Sequence, residues 1–173
     1  MTTMNRPQVV LSARALGQRW AGIPGIEVTP GGRLYVSCFS GGDTEPHPEN
    51  TAYLTMSDDG GRTFGPPTVM AAPRDGSRVF DPTLWIDPLG RLWLIFNRGN
   101  KDTADHGVFA RICAEPDAPV PVWGAEFRVG YEAPFSFRMN KPTVLSTGEW
   151  LMPVTHAAEP VHAWFAGPAQ RQG

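Results

Sequence analysis

A repeat of about 60 residues is the feature of this sequence that most restricts its fold. Three times a proline opens a short apolar run, a turn follows, and a second apolar run comes after the turn. The copies begin at Pro24, Pro82 and Pro142, with spacings of 58 and 60 positions. Because residues typical of β-strands stand on both sides of each turn, the repeat predicts small antiparallel sheets, either stacked or arranged around an axis.

The first two copies carry two further runs that are typical of strands. Residues 51–56 and 107–112 suit a third strand, and residues 64–70 and 123–129 suit a fourth. Glycine and proline, 19 and 18 of the 173 residues, interrupt nearly every window long enough for a helix. The predicted fold class is therefore all-β, with four-stranded units of the size of a β-propeller blade. We place these units at approximately 22–72, 80–131 and 140–166, with 8–12 as a strand that closes another blade. The chain then covers about two and a half to three blades of a single domain, 1–173, which is itself part of a larger ring.

An eight-residue motif lies between the third and fourth predicted strands of the first unit. It runs Ser-Asp-Asp-Gly-Gly-Arg-Thr-Phe from position 57 to 64 and fits the Asp-box pattern S-x-D-x-G-x-T-[W/F]. With the stretches that begin at Asp81 and Asn140, it makes the chain resemble the N-terminal half of the BNR-repeat, sialidase-like (exo-α-sialidase) family. That resemblance implies a six-bladed propeller and a glycoside hydrolase acting on the non-reducing-end sugars of acidic glycans. It also implies that the Asp box is structural and faces away from the substrate, through Ser57, Asp59, Gly61, Thr63 and Phe64.

The sequence departs from the family pattern at two places. The first arginine that clamps the substrate in sialidases belongs to an Arg-Ile-Pro motif, and here Gly22 stands in its place before Ile23 and Pro24. In the second unit, the stretch 114–123 keeps the closing aromatic Trp123 but lacks the serine, glycine and threonine of the box. Two alternatives therefore stay open: a non-catalytic carbohydrate-binding or interaction propeller, and a truncated fragment without activity of its own.

The candidate site residues stand at the positions that a propeller turns towards its central channel. These are the residues just before each repeat proline, together with the long acidic loop 40–50. Candidates for the acid/base catalyst are the carboxylates Asp43, Glu49 and Asp81. Candidates for substrate binding are Arg138, Asn140, Lys141 and Glu45. The alternative roles are solvated loop carboxylates, a strand-entry cap at Asp81 and surface ion pairs. Three arginines also recur before the prolines, as an anion site or as structural links between units: Arg19, Arg78 and Arg138.

The composition of the chain restricts the classes of partner that it can bind. The formal net charge is −2 without a basic run, which disfavours nucleic acid, and no apolar stretch is long enough to span a membrane. The N-terminus shows no signal peptide, and the two cysteines, Cys38 and Cys113, read as buried thiols, so we expect a cytoplasmic protein. We expect no metal and no cofactor, because the histidines lack partners at ligand spacing. The expected partners are a glycan or small sugar and a second copy that completes the ring as a homodimer, since an open unit leaves unpaired strand edges.

Overall fold

The computed structural model describes residues 9–99, 106–129, 136–138, 140–156 and 159–165. These residues form three four-stranded antiparallel sheets and one short 3₁₀ helix, Arg14–Leu16, so the all-β prediction is confirmed. The first sheet has the order β1-β2-β3-β4: β1 (Gly22–Val28), β2 (Leu34–Ser40), β3 (Thr51–Ser57) and β4 (Thr68–Ala71). The second has the order β5-β6-β7-β8: β5 (Arg78–Ile86), β6 (Leu92–Gly99), β7 (Gly107–Cys113) and β8 (Phe127–Arg128).

The third sheet is built around a long hairpin of β11 (Trp150–His156) and β12 (Glu159–Phe165). On the other side of β11 lie two short strands, β9 (Ser136–Arg138) and β10 (Thr143–Val144). The pair β9 and β10 takes the place that one continuous strand, β1 or β5, takes in the other two sheets. The sheets thus span 22–71, 78–128 and 136–165, beside the predicted units 22–72, 80–131 and 140–166.

Three strand boundaries differ from the sequence prediction. The first strand of the second sheet begins at Arg78, four residues before the repeat proline rather than at it. The fourth strands are short: β4 begins only at Thr68, and the predicted strand 123–129 reduces to Phe127–Arg128 with an isolated bridge from Trp123 to Cys113. Pro66 and Pro67 explain the first of these shortenings, because proline has no N–H to donate to a neighbouring strand.

Residues 9–12 of the predicted closing strand 8–12 adopt no strand here, and residue 8 lies outside the described residues; because this strand would pair with another blade, it stays a prediction. Val9, Val10 and Leu11 instead lie against β1 and β2 and line a cavity of about 420 Å³ with them. A strand needs a neighbouring strand to receive its backbone hydrogen bonds. β1 pairs with β2 in the described structure, and no pairing joins it to residues 9–12.

The turn after the first strand of each sheet repeats one hydrogen-bond pattern. The N–H of Thr29 donates to the carbonyl of Arg33, and the same bond joins Asp87 to Arg91 and Leu145 to Glu149, at 2.9, 3.0 and 2.8 Å. The fourth residue of each turn is a glycine with φ of 89°, 78° and 92°, the left-handed region that favours glycine. The turns start 58 positions apart, at 29, 87 and 145. The sequence repeat is therefore a repeat of turn chemistry as well as of hydrophobicity.

Two hydrophobic clusters join the sheets in chain order. One packs residues of the first sheet, such as Tyr35 and Leu54, against Leu84, Leu94 and Phe96 of the second. The other packs Trp85, Trp93, Ile95, Val108 and Ala110 of the second sheet against Trp150 and Met152 of the third. Strand alternation sends neighbouring residues of one strand to opposite faces, so Leu84 and Trp85 enter different clusters. The second sheet is thus covered on both faces.

Candidate functional site

A β-bulge interrupts the first strand of each sheet just before the repeat proline. In the first sheet, three positions from Gly22 to Gly25 oppose two on β2, and in the second, three positions from Phe80 to Thr83 oppose two on β6. In the third sheet, the bulge grows to five positions opposing three, between the pairs Arg138–Val154 and Thr143–Leu151. Bulges re-aim side chains and are frequent beside active sites. This recurrent bulge is where the sequence prediction placed its pre-proline candidates.

The bulge holds a non-glycine residue at positive φ in the first two sheets. Ile23 has φ of 41° and Asp81 has φ of 50°. A proline follows each of them, and a residue before proline favours extended backbone, so both positions are strained. Aspartate tolerates this conformation better than a β-branched residue does. Such strain persists only where the surroundings hold it, which makes the bulge a rigid mount for the Asp81 carboxylate.

Asp81 lies beside a buried amide and a half-buried guanidinium. The Nδ2 of Asn97, a fully buried residue on β6, donates to the Asp81 Oδ2 at 3.3 Å. Arg78, three residues earlier on β5, places its guanidinium carbon 4.1 Å from the centroid of the Phe80 ring. Burial lowers the pKa of Arg78, and the negative charges of Glu45 and Asp81 act in the opposite direction. The site thus combines one cation with two carboxylates.

The loop between β2 and β3 is attached to this cluster by Asn50. Its backbone carbonyl accepts from the N–H of Val79 at 3.0 Å. Its side chain, in the amide orientation that satisfies its neighbours, accepts from Arg78 Nη1 at 3.2 Å and donates to the carbonyls of Gly41 and His47. Gly41 is required here, because a Cβ would stand 2.2 Å from the carbonyl oxygen of Glu49. Asn50 therefore closes the loop against β5, and the negative charge of Glu45 in this loop acts on the pKa of Arg78.

The other loop carboxylates point to solvent. Asp43 is exposed and forms an ion pair with Arg19 at 3.1 Å, in which both side chains are largely accessible. Glu49 is also exposed, and its backbone N–H donates to the Nδ1 of His47. Of the three predicted acid/base candidates, Asp81 is the one with a buried hydrogen-bond partner among the described residues, and all three assignments stay predictions.

The predicted binding residues of the third sheet lie at its enlarged bulge. The Lys141 ammonium lies 3.1 Å from Glu27 Oε2 on β1, so a residue of the third sheet meets the first sheet directly. The Asn140 Oδ1 accepts from the backbone N–H of Lys141 at 2.8 Å, and the side chain of Asn140 is exposed. Arg138 lies in β9, and its side chain is outside the described residues. The Lys141 ammonium, predicted to bind substrate, is thus paired with Glu27 in this structure.

The Asp box folds as a self-contained turn between β3 and β4. Asp59 Oδ1 accepts from the N–H groups of Arg62 and Thr63 and from Ser57 Oγ, while its Oδ2 accepts from Thr63 Oγ1 at 2.7 Å. The Thr63 bonds, followed by that of Ser57, hold the pKa of Asp59 well below its usual range. The N–H of Gly61 donates to Ser57 Oγ at 2.9 Å, and Phe64 lies half-buried beside Gly61. All of these hydrogen-bond partners lie within the box, so the bonds of Ser57 and Asp59 stabilise the turn itself.

The loop that lacks the box in the second sheet has a different role. Asp117 accepts from the N–H of Gly31 at 2.9 Å and from the hydroxyl of Thr29, so it caps the first turn of the neighbouring sheet. Arg33 donates to the carbonyls of Pro116 and Ala118 and pairs with Asp58 at 2.5 Å. The hydrogen bond that Arg33 donates to Asp58 raises the pKa of the guanidinium, and burial acts in the opposite direction. This loop forms a turn of its own, in which the N–H of Ala118 donates to the carbonyl of Glu115 at 3.1 Å, and it also links the two sheets.

The sequence pattern did not predict the central position of Arg78 or the hydrogen bond from Asn97 to Asp81. Arg78 was noticed only as one of three recurring arginines, and its partners come from a loop about 30 positions earlier. Asn97 gives a signal that could have found it, namely a polar residue in the apolar run Leu-Trp-Leu-Ile-Phe before it. A buried amide needs a hydrogen-bond partner, and Asp81 supplies one.

Other chemistry is sparse in the part of the chain that the structure describes. No three His, Cys, Asp or Glu side chains there gather as metal ligands would. Both cysteines are buried and free, and burial raises the pKa of the Cys38 thiol to about 11. The described helix, Arg14–Leu16, is far too short to cross a membrane.

A scan against family models and a search of curated proteins give no match for the chain. Among solved structures, one titled "Hadza microbial sialidase Hz136" resembles it with a TM-score of 0.60 and 14% identity, over 78% of this chain and 32% of that one. An unknown-function protein from Dyadobacter fermentans DSM 18053 resembles it with a TM-score of 0.56 and 12% identity, over 83% and 50%. The chain thus spans about a third to a half of these structures. At such identities the likeness shows the fold alone. The chain shares part of an all-β fold that a sialidase also has.

Proposed function

We propose that the chain is part of a six-bladed, sialidase-like propeller in which each four-stranded sheet is one blade. We further propose that this propeller is a glycoside hydrolase acting on the non-reducing-end sugar of an acidic glycan. The repeat of turns and bulges supports the architecture, and the likeness to part of a sialidase structure agrees with it. In this arrangement, the first strand of each sheet lines the central channel, and the bulges face the substrate.

The observation that carries the chemical proposal is the Asp81 carboxylate, held on a strained bulge within reach of a guanidinium. Cleavage of a glycosidic bond needs a carboxylic acid that protonates the leaving oxygen. A carboxyl group that the fold holds in one position is already oriented for this proton transfer. The amide of Asn97 donates to one carboxylate oxygen of Asp81 and so orients the carboxylate. Asp81 is the group that we assign to acid/base catalysis.

Arg78 supports an acidic sugar as substrate. A guanidinium binds a carboxylate through two parallel hydrogen bonds, and stacking on the Phe80 ring holds its plane. Glu45 approaches it from an exposed loop, so a substrate carboxylate can replace Glu45 at little cost. Glu45 then becomes free to accept hydrogen bonds from sugar hydroxyls.

A panel of fluorogenic sialosides, uronides and neutral glycosides tests the proposal. We expect the wild-type chain to hydrolyse acidic substrates, and Asp81→Asn to lower kcat by at least about 100-fold, the usual contribution of a general acid. Asp43→Asn and Glu49→Gln are matched controls that remove a carboxylate with no change of size. We expect them to stay within about threefold of wild type, because both groups are exposed. Turnover that survives in D81N and is lost in one of the controls would move the catalytic role to that loop residue.

A second candidate, carbohydrate binding without hydrolysis, is favoured by the first bulge. Gly22 offers no side chain there, and Ile23 is 52% exposed, so this bulge lacks a charged group for the substrate. A glycan array with wild type and Arg78→Met separates the two functions. Binding of acidic glycans that R78M loses, with no turnover of any substrate of the panel, would establish the binding function and exclude the hydrolase.

A further inference from the structure

The outward face of the first sheet is apolar and open. Register places Ile26 beside Val36 and Val28 beside Leu34 on this face, away from the second sheet. On the outer strands, Tyr53 pairs with Val69, which shares the same face. Ile26, Val28 and Val69 are 60%, 51% and 53% exposed. We call this surface, Ile26, Val28, Leu34, Val36, Tyr53 and Val69, the open face.

The second sheet has the same face, and there it is covered. A shift of 58 positions carries Ile26 and Val36 onto Leu84 and Leu94, which are also register partners. Leu84 and Leu94 are 1% and 0% exposed, because the first sheet packs on them. The same residue position is therefore about 60% exposed in one sheet and fully buried in the next. The repeat therefore predicts a packing surface on the first sheet. Residues 9–11 line a cavity with Ile26 and Val36 of this surface, and Val36 is 8% exposed.

The chain also carries the complementary surface, at its other end. In the second sheet, the face that receives a following sheet carries Trp93, and the same shift carries Trp93 onto Leu151 in β11. Leu151 is half-buried, and the register pairs it with Trp164 of β12. The third sheet thus places Leu151 at the position that Trp93 takes on the face of the second sheet that packs on its neighbour.

We propose that the open face binds the third sheet of a second copy of this chain. Two copies related by a two-fold axis then make two such contacts and close a ring of six sheets. A face of four strands, each six residues long, measures roughly 19 by 20 Å by standard strand spacing and rise, which is about 400 Å². Two contacts bury about 800 Å² on each copy, the size of a stable protein interface. The proposal rests on the repeat and the propeller architecture, and it does not depend on the catalytic part of the proposed function.

Light scattering after size exclusion, at about 1 to 100 μM chain, tests the proposal over the affinity range of such interfaces. We expect a mass of twice 18.9 kDa at the higher concentrations. Ile26→Glu places a charge in the contact without touching the core, and we expect it to shift the sample to monomer. Val120→Glu is the matched control, since Val120 is 77% exposed on the loop before β8 and far from the open face in sequence and register. V120E is expected to stay dimeric.

Leu151→Glu identifies the occupant. If the third sheet fills the open face, L151E dissociates the dimer as I26E does. A dimer formed by two open faces would instead be dissociated by I26E and not by L151E. Circular dichroism and the unfolding midpoint show that each variant is folded before its mass is interpreted. A wild-type monomer at 100 μM, or a dimer that resists I26E or L151E, overturns the proposal. None of these readouts uses turnover, so failure here is separate from failure of the proposed hydrolase.

Discussion

The turn of the second sheet offers the sharpest test of how this repeat is stabilised. Asp87 is buried, with its side chain inaccessible to solvent, and accepts four hydrogen bonds. Its Oδ1 accepts from the N–H groups of Leu89 and Arg91 at 2.9 and 3.0 Å, and its Oδ2 accepts from Arg91 Nε at 2.7 Å and Trp93 Nε1 at 2.8 Å. The carboxylate thus joins the turn to the indole that packs between the second and third sheets.

Asp87→Asn keeps the size of the side chain and changes only its hydrogen bonds. The amide oxygen can still accept from the two backbone N–H groups. The amide nitrogen, however, then faces two donors, Arg91 Nε and Trp93 Nε1, and leaves the guanidinium without its partner. Two charge-assisted bonds at about 1.5 to 3 kcal/mol each predict a loss of about 3 to 5 kcal/mol in the free energy of unfolding. For a chain of this length, the corresponding fall in the unfolding midpoint is about 10 °C.

Thermal and urea unfolding of wild type and D87N measure this loss. Asp43→Asn is the control, because it also removes a carboxylate from an arginine pair, but one that is exposed on both sides. We expect its unfolding free energy to change by less than about 1 kcal/mol. If D87N unfolds within 2 or 3 °C of wild type, about the effect of a 1 kcal/mol change, the hydrogen bonds of Asp87 do not stabilise the fold and the reasoning is refuted.

Two further predictions concern the Asp box and the contact between the first two sheets. Because the bonds from Thr63 lower the pKa of Asp59 below its ordinary 3.8, the box adds stability above that pH and loses it on further acidification. Asp59→Asn should therefore flatten the acid limb of a stability profile measured by urea unfolding from pH 2 to 6, and an unchanged limb would contradict this. Gly25→Ala places a Cβ 2.7 Å from Ser37 Oγ and 3.3 Å from the backbone of β5, and we expect a cost of about 1 to 3 kcal/mol. Gly65→Ala meets only ordinary contacts, and equal unfolding midpoints for the two variants would show that the close approach of β1 to β5 is not required.

Much of the fold can be predicted from local patterns. The Asp box lies where the motif indicates, because its hydrogen bonds join residues at most four positions apart. The third strands, β3 and β7, differ from prediction by one residue at their ends, since alternation of apolar residues defines a strand with both neighbours present. The closing strand at 8–12 stays a prediction. Its apolar residues allow a strand, but a strand requires a partner that the pattern cannot show.

The candidate site was predicted only in part. The pre-proline position of Asp81 follows from the repeat, and the acidic loop was noticed from its composition. Neither pattern indicates that Asn50 would fasten the loop to β5, or that Asn97 would lie beside Asp81, because these contacts depend on strand register. The ion pair of Lys141 with Glu27 could not be predicted either, since it joins residues 114 positions apart in the sequence.

The sequence by itself determined the period, the turns and the Asp box, since each depends on hydrogen bonds between near neighbours and on the φ that glycine alone adopts without strain. Only the tertiary structure decided which of many charged residues act on one another, such as Glu45 and Asp81 on Arg78, and which face of which sheet is left open. The physical reason is that such contacts are made across sheets and loops, where register and packing set distances that no local pattern encodes.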